Sequence, residues 1–380
     1  MQFLGRKQVA TAGCAVAAAL ALAACSSSSS SSSSSAAAST PASSGSSAAS
    51  APASTSTSAS ASSASGTIKA AGSTFQTNLQ QGAISAFKSV SPNITVDYDP
   101  VGSGTGRADL YANTVLMAGS DSPVPAKEAS EVPKGKTILY FPVQIGPIAM
   151  AYNLPGVTGL KLDATVLAGI FQGTIKTWDD PAIKALNSGV SLPSTSITLA
   201  VRSDSSGTTA NFSQYLVDAA GSAWKLGTAS TLTFPSTARA GDGGSAVAQI
   251  VKSTAGAIGY VDASTAAASG LSMASVKNSA GDYVAPSSAS AAAAATHVTP
   301  KADLTFLTAD EPGATSYPIA YQSWDLVYEV QPNANDVALL KAYLGYLLGP
   351  GQQLLTPLGL APLPTSIDTA AIAQLSKITS

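Results

Sequence analysis

Cysteine is almost missing from this chain: of 380 residues only Cys14 and Cys25 carry a thiol, both near the N-terminus. The remainder has no disulfide framework, no thiolate nucleophile and no Cys-based metal site, so its core alone must hold it together. Histidine is nearly as scarce. His297 is the single one and lies in an Ala/Thr-rich stretch; with no G-x-S-x-G elbow present, a Ser-His-acid hydrolase is poorly supported and His297 reads as a surface residue. Scattered acids do not make a metal centre, and neither metal nor cofactor is expected. Charged residues are only 11% of the chain and the net charge is -2. Without a basic stripe, nucleic acid is excluded as a natural partner. Gly135-Lys136-Thr137 has the ending of a P-loop, but Ser130 stands where the first glycine is required. Any anion bound here must be gripped by local geometry, because the overall field does not attract it.

One long apolar run is present, and it is N-terminal. Arg6 and Lys7 precede about 16 small apolar residues ending at Cys25, which is short for a spanning helix and reads as a signal peptide over 1–24. Leu22-Ala23-Ala24-Cys25 resembles the bacterial lipobox, which makes Cys25 the lipidated new N-terminus. Residues 25–66 are nearly all Ser and Ala with some Pro, Thr and Gly. They lack the large apolar groups that offset ordering entropy, so a disordered tether is expected. About 40 such residues would reach roughly 35 Å. The remaining chain is long enough for two lobes of roughly 150 residues each.

Beyond the tether, strand-like and helix-like patterns alternate, which predicts an α/β architecture with mostly parallel sheets. Asp180-Pro181 reads as an N-cap with proline at the first helical position, and Gly349-Pro350 as a helix stop. Segments 187–193 and 285–300 read as loop-like or low-complexity, and neither as a domain linker.

Four turns carry the chemistry. Arg202-Ser203-Asp204-Ser205-Ser206-Gly207-Thr208 follows the strand Ile197–Val201 and opens a helix with an apolar stripe at Phe212, Tyr215, Leu216 and Ala219. Free N–H groups at a helix start, a positive dipole end and an arginine fork together suit an oxyanion; an ordinary N-cap beside a surface arginine is equally compatible with this stretch alone. Gly102-Ser103-Gly104-Thr105-Gly106 and Gly72-Ser73-Thr74-Phe75 are two more strand-to-helix turns, and such turns gather where open α/β sheets bind ligands. Ala118-Gly119-Ser120-Asp121-Ser122 adds a carboxylate. An ionised Asp accepts an O–H, so it suits an anion that still carries a proton, as phosphate does near neutral pH, and repels sulfate, which does not.

These turns resemble those of the phosphate-binding proteins of bacterial ABC importers, the PstS family. Further matches are Tyr152-Asn153-Leu154-Pro155-Gly156, the run from Gly173 to Ile183, and Gly256 to Val261. The resemblance covers about 68–366 and is nearest in style to lipid-anchored Gram-positive members. It implies a two-lobed periplasmic-binding fold with a hinge and a cleft, lobe one being 67–143 plus 317–380 and lobe two 144–316. It also implies a phosphate site of Thr74, Phe75, Ser103, Asp121, Arg202, Ser206, Gly207 and Thr208, with Asp204 pairing the arginine. Backbone N–H groups of Phe75, Gly207 and Thr208, hydroxyls of Thr74, Ser103, Ser206 and Thr208, and the Arg202 fork would donate, while Asp121 accepts the phosphate proton. The implied protein is no enzyme. It is a monomer anchored through Cys25 on the extracytoplasmic face, passing phosphate to a permease pair and its ATPase. A binder of another tetrahedral oxyanion, or a phosphate-related surface hydrolase, is the competing reading.

Overall fold

The computed structural model describes residues 64–380; the expected signal peptide, Cys25 and most of the expected tether lie outside the described residues. The chain opens with β1 (Gly66–Gly72), α1 (Thr77–Val90), β2 (Ile94–Asp99), α2 (Ser103–Tyr111) and β3 (Met117–Ser120). The long β4 (Ile138–Tyr152) leads to β5 (Lys161–Leu162), α3 (Ala164–Phe171), α4 (Pro181–Leu186), β6 (Thr198–Arg202) and α5 (Gly207–Ala220). There follow β7 (Arg239–Gly241), α6 (Gly243–Ser253), β8 (Ala257–Asp262), α7 (Ala263–Ala268), β9 (Ser272–Met273), β10 (Ser275–Lys277), β11 (Tyr283–Val284) and α8 (Ser288–Ala295). The chain closes with β12 (Ala320–Tyr328), α9 (Ala334–Leu348) and α10 (Thr365–Gln374).

Local chemistry sets several of these bounds. The Asp180 carboxylate accepts from Ala182 N at 2.9 Å beside Pro181 and starts α4. Asn333 accepts from Asp336 N at 2.9 Å and starts α9, which ends at Gly349. Residues 285–300, expected as loop, contain α8. Ser287 and Ser290 exchange side-chain-to-backbone bonds at 3.1 and 3.0 Å, a reciprocal cap. An alanine run has no apolar period to read, yet alanine has the highest helix propensity. The helix of the Gly102 turn also starts earlier than expected, at Ser103, so Gly104 and Gly106 are helical and only Gly102 has a positive φ, of 91°.

Nine of the strands form one sheet in the order β2-β1-β3-β12-β4-β8-β6-β7, with β9 pairing on β4, and β11-β10-β5 form a second, three-stranded sheet. The sheet is mixed, where mostly parallel pairing was expected: β12 runs antiparallel to both β3 and β4, and β4 antiparallel to β8. The parallel pairs flank this centre, β1 with β2 and β3 on one side and β6 with β7 and β8 on the other. β4 serves both halves. Its residues up to Pro147 pair with β12, and from Ile148 onward it pairs with β8. Nearly all its residues are buried, which is why it reads as an unbroken apolar run.

The β4–β12 register slips between Ser323, opposite Gln144, and Trp324, opposite Pro142. Proline has no N–H for the ladder, so a bulge at this point costs little and re-aims the neighbouring side chains. Under the second half of the sheet, Phe171, Phe212 and Tyr260 pack with ring centroids 4.8–5.7 Å apart, and Trp178 is fully buried with Nε1 donating to Gly256 O at 2.9 Å. No helix among the described residues is long and apolar enough to cross a membrane.

The ends of β1, β3 and α2 approach so closely that only glycine fits. A Cβ on Gly106 would lie 2.4 Å from Gly72 Cα and 2.6 Å from Ala71 O, and one on Gly72 would lie 2.1 Å from Gly119 O. These neighbours are backbone and cannot swing aside. Gly106→Ala is expected to lower the unfolding free energy by about 1–3 kcal/mol, read as a lower denaturant midpoint with an unchanged slope.

Candidate functional site

The four turns of the sequence reading converge on one place, at the carboxyl ends of β1, β3 and β6. Gly104 N donates to Ser205 O at 2.9 Å, joining the α2 turn to the β6–α5 turn. Asn211 Nδ2 on α5 donates to Asp121 O at 2.7 Å. A Cβ on Gly207 would lie 2.6 Å from both Asp121 Cβ and Ser103 Oγ, and one on Gly243 would touch Thr74 Cγ2 at 3.5 Å. Thr74, Phe75, Ser103, Asp121, Arg202, Asp204, Ser206, Gly207 and Thr208 are therefore all within one contact network, although they span more than a third of the chain.

On the α5 side, Ser206 caps the helix by accepting from Thr209 N at 3.1 Å. The first N–H groups of a helix have no intrahelical acceptor, and this cap takes that of Thr209, not those of Gly207 and Thr208. Arg202 ends β6 with its side chain 2% exposed. Its Nε donates to Asp204 Oδ1 at 2.6 Å, and its terminal nitrogen donates to Asp204 Oδ2. Asp204 Oδ1 also accepts from Gly243 N at 3.1 Å.

On the β3 side, Asp121 is fully buried. Its Oδ1 accepts from Ser73 Oγ at 2.5 Å and from Ser323 Oγ at 2.6 Å, while Oδ2 has Ser103 Oγ at 3.3 Å. The loop is braced from behind by buried Arg107, which forks onto Glu128 at 2.8 and 2.9 Å and donates to Ser120 Oγ at 2.9 Å. Two of the expected donors are already engaged within the protein. Phe75 N donates to Ser73 Oγ at 3.1 Å, and its ring stacks on Tyr321 with centroids 4.0 Å apart. Ser103 Oγ accepts from Asp121 N at 3.2 Å and donates to Asp121 Oδ2 at 3.3 Å.

Sequence reasoning missed Ser73, Asn211, Gln322 and Ser323. Ser73 lay inside a turn already singled out, without a role of its own. Gln322 and Ser323 sit in a strand with no motif around them, and no local signal marks them.

A family model described as a PBP superfamily domain matches residues 57–350. Phosphate-binding protein PstS 3 of Mycobacterium leprae is 38% identical over 324 residues, covering 81% of this chain and 86% of that protein. Phosphate-binding protein PstS 2 of Mycobacterium tuberculosis is 35% identical over 326 residues, covering 82% and 87%. The chain belongs to the PstS family of phosphate-binding proteins. Among solved structures, a high-affinity periplasmic phosphate-binding protein bound with phosphate superposes with a TM-score of 0.67 at 22% identity, covering 81% of this chain and 94% of that one. A phosphate-binding protein from Stenotrophomonas maltophilia gives the same TM-score at 20% identity, covering 82% and 94%. Both likenesses speak to the fold, which is the mixed α/β, two-lobed solute-binding type.

Electrostatics at this PstS-family junction pull in opposite directions. Burial raises the Asp121 carboxyl to about 6, against the lowering effect of Ser323, Ser73, the Arg202 charge and Ser103. Burial also pushes Asp204 up, but its bonds to Arg202 and the arginine's charge outweigh this and hold it below the ordinary value. Burial opposes the charge on Arg202, yet Asp204 keeps its pKa above the usual one. A carboxyl raised on folding stabilises the fold fully below its unfolded value, and that contribution is lost as pH rises through 6. For Asp121 this amounts to about 3 kcal/mol. Ligand-free Asp121→Asn should therefore exceed the wild type in stability at pH 8, with the gap closing toward pH 4. Urea midpoints across this range measure it.

Proposed function

We propose that this chain binds inorganic phosphate outside the cytoplasmic membrane and delivers it to an ABC importer, without catalysing a reaction. One observation carries the reading: a buried carboxylate, Asp121, faces the N-terminus of α5 and the arginine that ends β6. A carboxylate among anion-attracting groups is unfavourable unless the anion brings a proton for it. Phosphate does near neutral pH, and sulfate does not.

In this reading Arg202, the N–H groups of Gly207 and Thr208, and the hydroxyls of Thr74, Ser206 and Thr208 donate to the anion, and Asp121 accepts its proton. Arg202 keeps one face for Asp204, which offsets part of its charge and fixes its plane. Phe75 and Ser103 act through Ser73 and Asp121, since their own donors or acceptors are engaged there. The lobes, 67–143 with 317–380 and 144–316, close about the paired crossings of β4 and β12. Names and sequence identity of the mycobacterial relatives support the ligand. Anchoring through Cys25, a tether over 25–66 and a monomeric state complete the proposal.

Calorimetry on the purified chain with phosphate, sulfate and arsenate tests it. Phosphate should bind far more tightly than sulfate near pH 7; equal affinities would overturn the reading. Arg202→Ala removes a desolvated, charge-assisted fork and should cost about 2–5 kcal/mol of phosphate binding. Gly207→Ala places a methyl against Asp121 and Ser103 and should weaken phosphate binding at least tenfold by holding the lobes apart. A dissociation constant within twofold of wild type for either variant would contradict the assignment.

A further inference from the structure

Behind Asp121 runs a chain of buried side chains whose proton directions are fixed one by one. Gln76 Nε2 donates to Trp324 O at 3.0 Å, and a carbonyl can only accept, so the orientation of this amide is set. The same nitrogen donates to Ser323 Oγ at 2.8 Å. Gln76 Oε1 accepts from Gln80 Nε2 at 2.8 Å. Gln80 in turn faces the Asp325 carboxylate at 3.3 and 3.4 Å through Nε2 and accepts from Tyr343 OH at 2.6 Å through Oε1. Gln76, Gln80, Ser323, Asp325 and Tyr343 are all essentially inaccessible to water.

With Gln76 donating to its oxygen, Ser323 must spend its own proton elsewhere. Asp121 Oδ1 at 2.6 Å takes it, the Ser120 carbonyl lying farther off at 3.4 Å. Ser73 is committed in the same way. Phe75 N donates to its oxygen at 3.1 Å, and its proton goes to Asp121 Oδ1 at 2.5 Å. Oδ1 thus receives two hydroxyl protons and cannot carry one of its own. Oδ2 accepts only from Ser103 Oγ, at 3.3 Å, and its remaining lone pair is the one left to meet the proton of an anion.

We propose that Ser323 and Ser73, with Gln76 fixing the direction of Ser323, are positioning residues that hold Asp121 as an obligate acceptor and thereby set the preference for a protonated oxyanion over sulfate. This rests on the phosphate-binding reading above. Asp121 alone would not secure the preference, because a carboxyl that takes up a proton becomes a donor and welcomes sulfate. The charged and titratable groups facing Asp121 are Arg202 at the end of β6, Tyr98 on β2 and Tyr321 on β12, with Asp325 of β12 at the far end of the chain of amides. Arg202 favours the ionised carboxylate as the serines do, while burial opposes it.

Sulfate carries no proton that titrates between pH 5 and 9, so the pH dependence of its affinity reports on the protein. Isothermal titration of the full chain with sulfate and with phosphate over that range is the test. In the wild type, sulfate affinity should rise as pH falls through the titration of Asp121. Ser323→Ala should shift that rise upward by about one to two pH units and cut the phosphate-over-sulfate ratio at pH 7 at least tenfold. Ser323→Thr, which keeps the hydroxyl, should restore the wild-type profile. Gln76→Met leaves Ser323 in place but frees its proton, and should shift the profile in the same direction by less. An unshifted sulfate profile in both Ser323→Ala and Gln76→Met, or a loss of both anions equally at every pH in these variants, would overturn the inference while leaving the phosphate-binding reading of the wild type standing. A wild type that binds phosphate no better than sulfate would instead overturn the reading on which it rests.

Discussion

A carboxylate buried away from bulk solvent is costly, and much of the polar architecture of this fold offsets that cost at Asp121. The buried acid is answered by hydroxyls from β12, from the turn after β1 and from the first residue of α2. Arg202, whose charge favours the ionised acid, is itself tied to Asp204. Neither charge is therefore cancelled by the other. Each keeps a partner of its own, as a buried charge requires.

Such an arrangement demands that backbones approach closely. The interlocked glycines at 72, 106 and 119 bring β1, β3 and α2 together on one side, and Gly207 lets the start of α5 meet Asp121 from the other. Between the halves, β4 and β12 run side by side, so the chain crosses twice at neighbouring positions. Pro142, unable to join the ladder, faces the register slip beside Ser323. A residue placed by strand geometry in β12 thus sets a hydroxyl on the buried Asp121 carboxylate.

Gln322 shows the same economy. Thr308 Oγ1 donates to its carbonyl oxygen at 3.1 Å, and its nitrogen is shared between Asn211 Oδ1 at 3.2 Å and Asp121 O at 3.3 Å. A single amide on β12 therefore touches the β3 turn and α5 at once. Strand β12, the loop that carries Asp121 and α5 are one hydrogen-bonded unit, so movement of any of them is felt by the other two.

Local chemistry in the sequence by itself determined the caps, the strand-to-helix turns, the arginine at the end of β6 and the carboxylate at Asp121. Each of these depends on residues within a few positions of one another. Tertiary structure alone decided the antiparallel course of β4 and β12, the helix within 285–300, the engagement of Phe75 N and Ser103 inside the protein, and the direction of every proton around Asp121. Those outcomes depend on partners such as Gln76 and Ser323, which are 247 positions apart in sequence. A hydrogen bond between such residues leaves no periodicity or spacing to read. Its direction is fixed only when a distant carbonyl, here that of Trp324, takes one of the two amide protons.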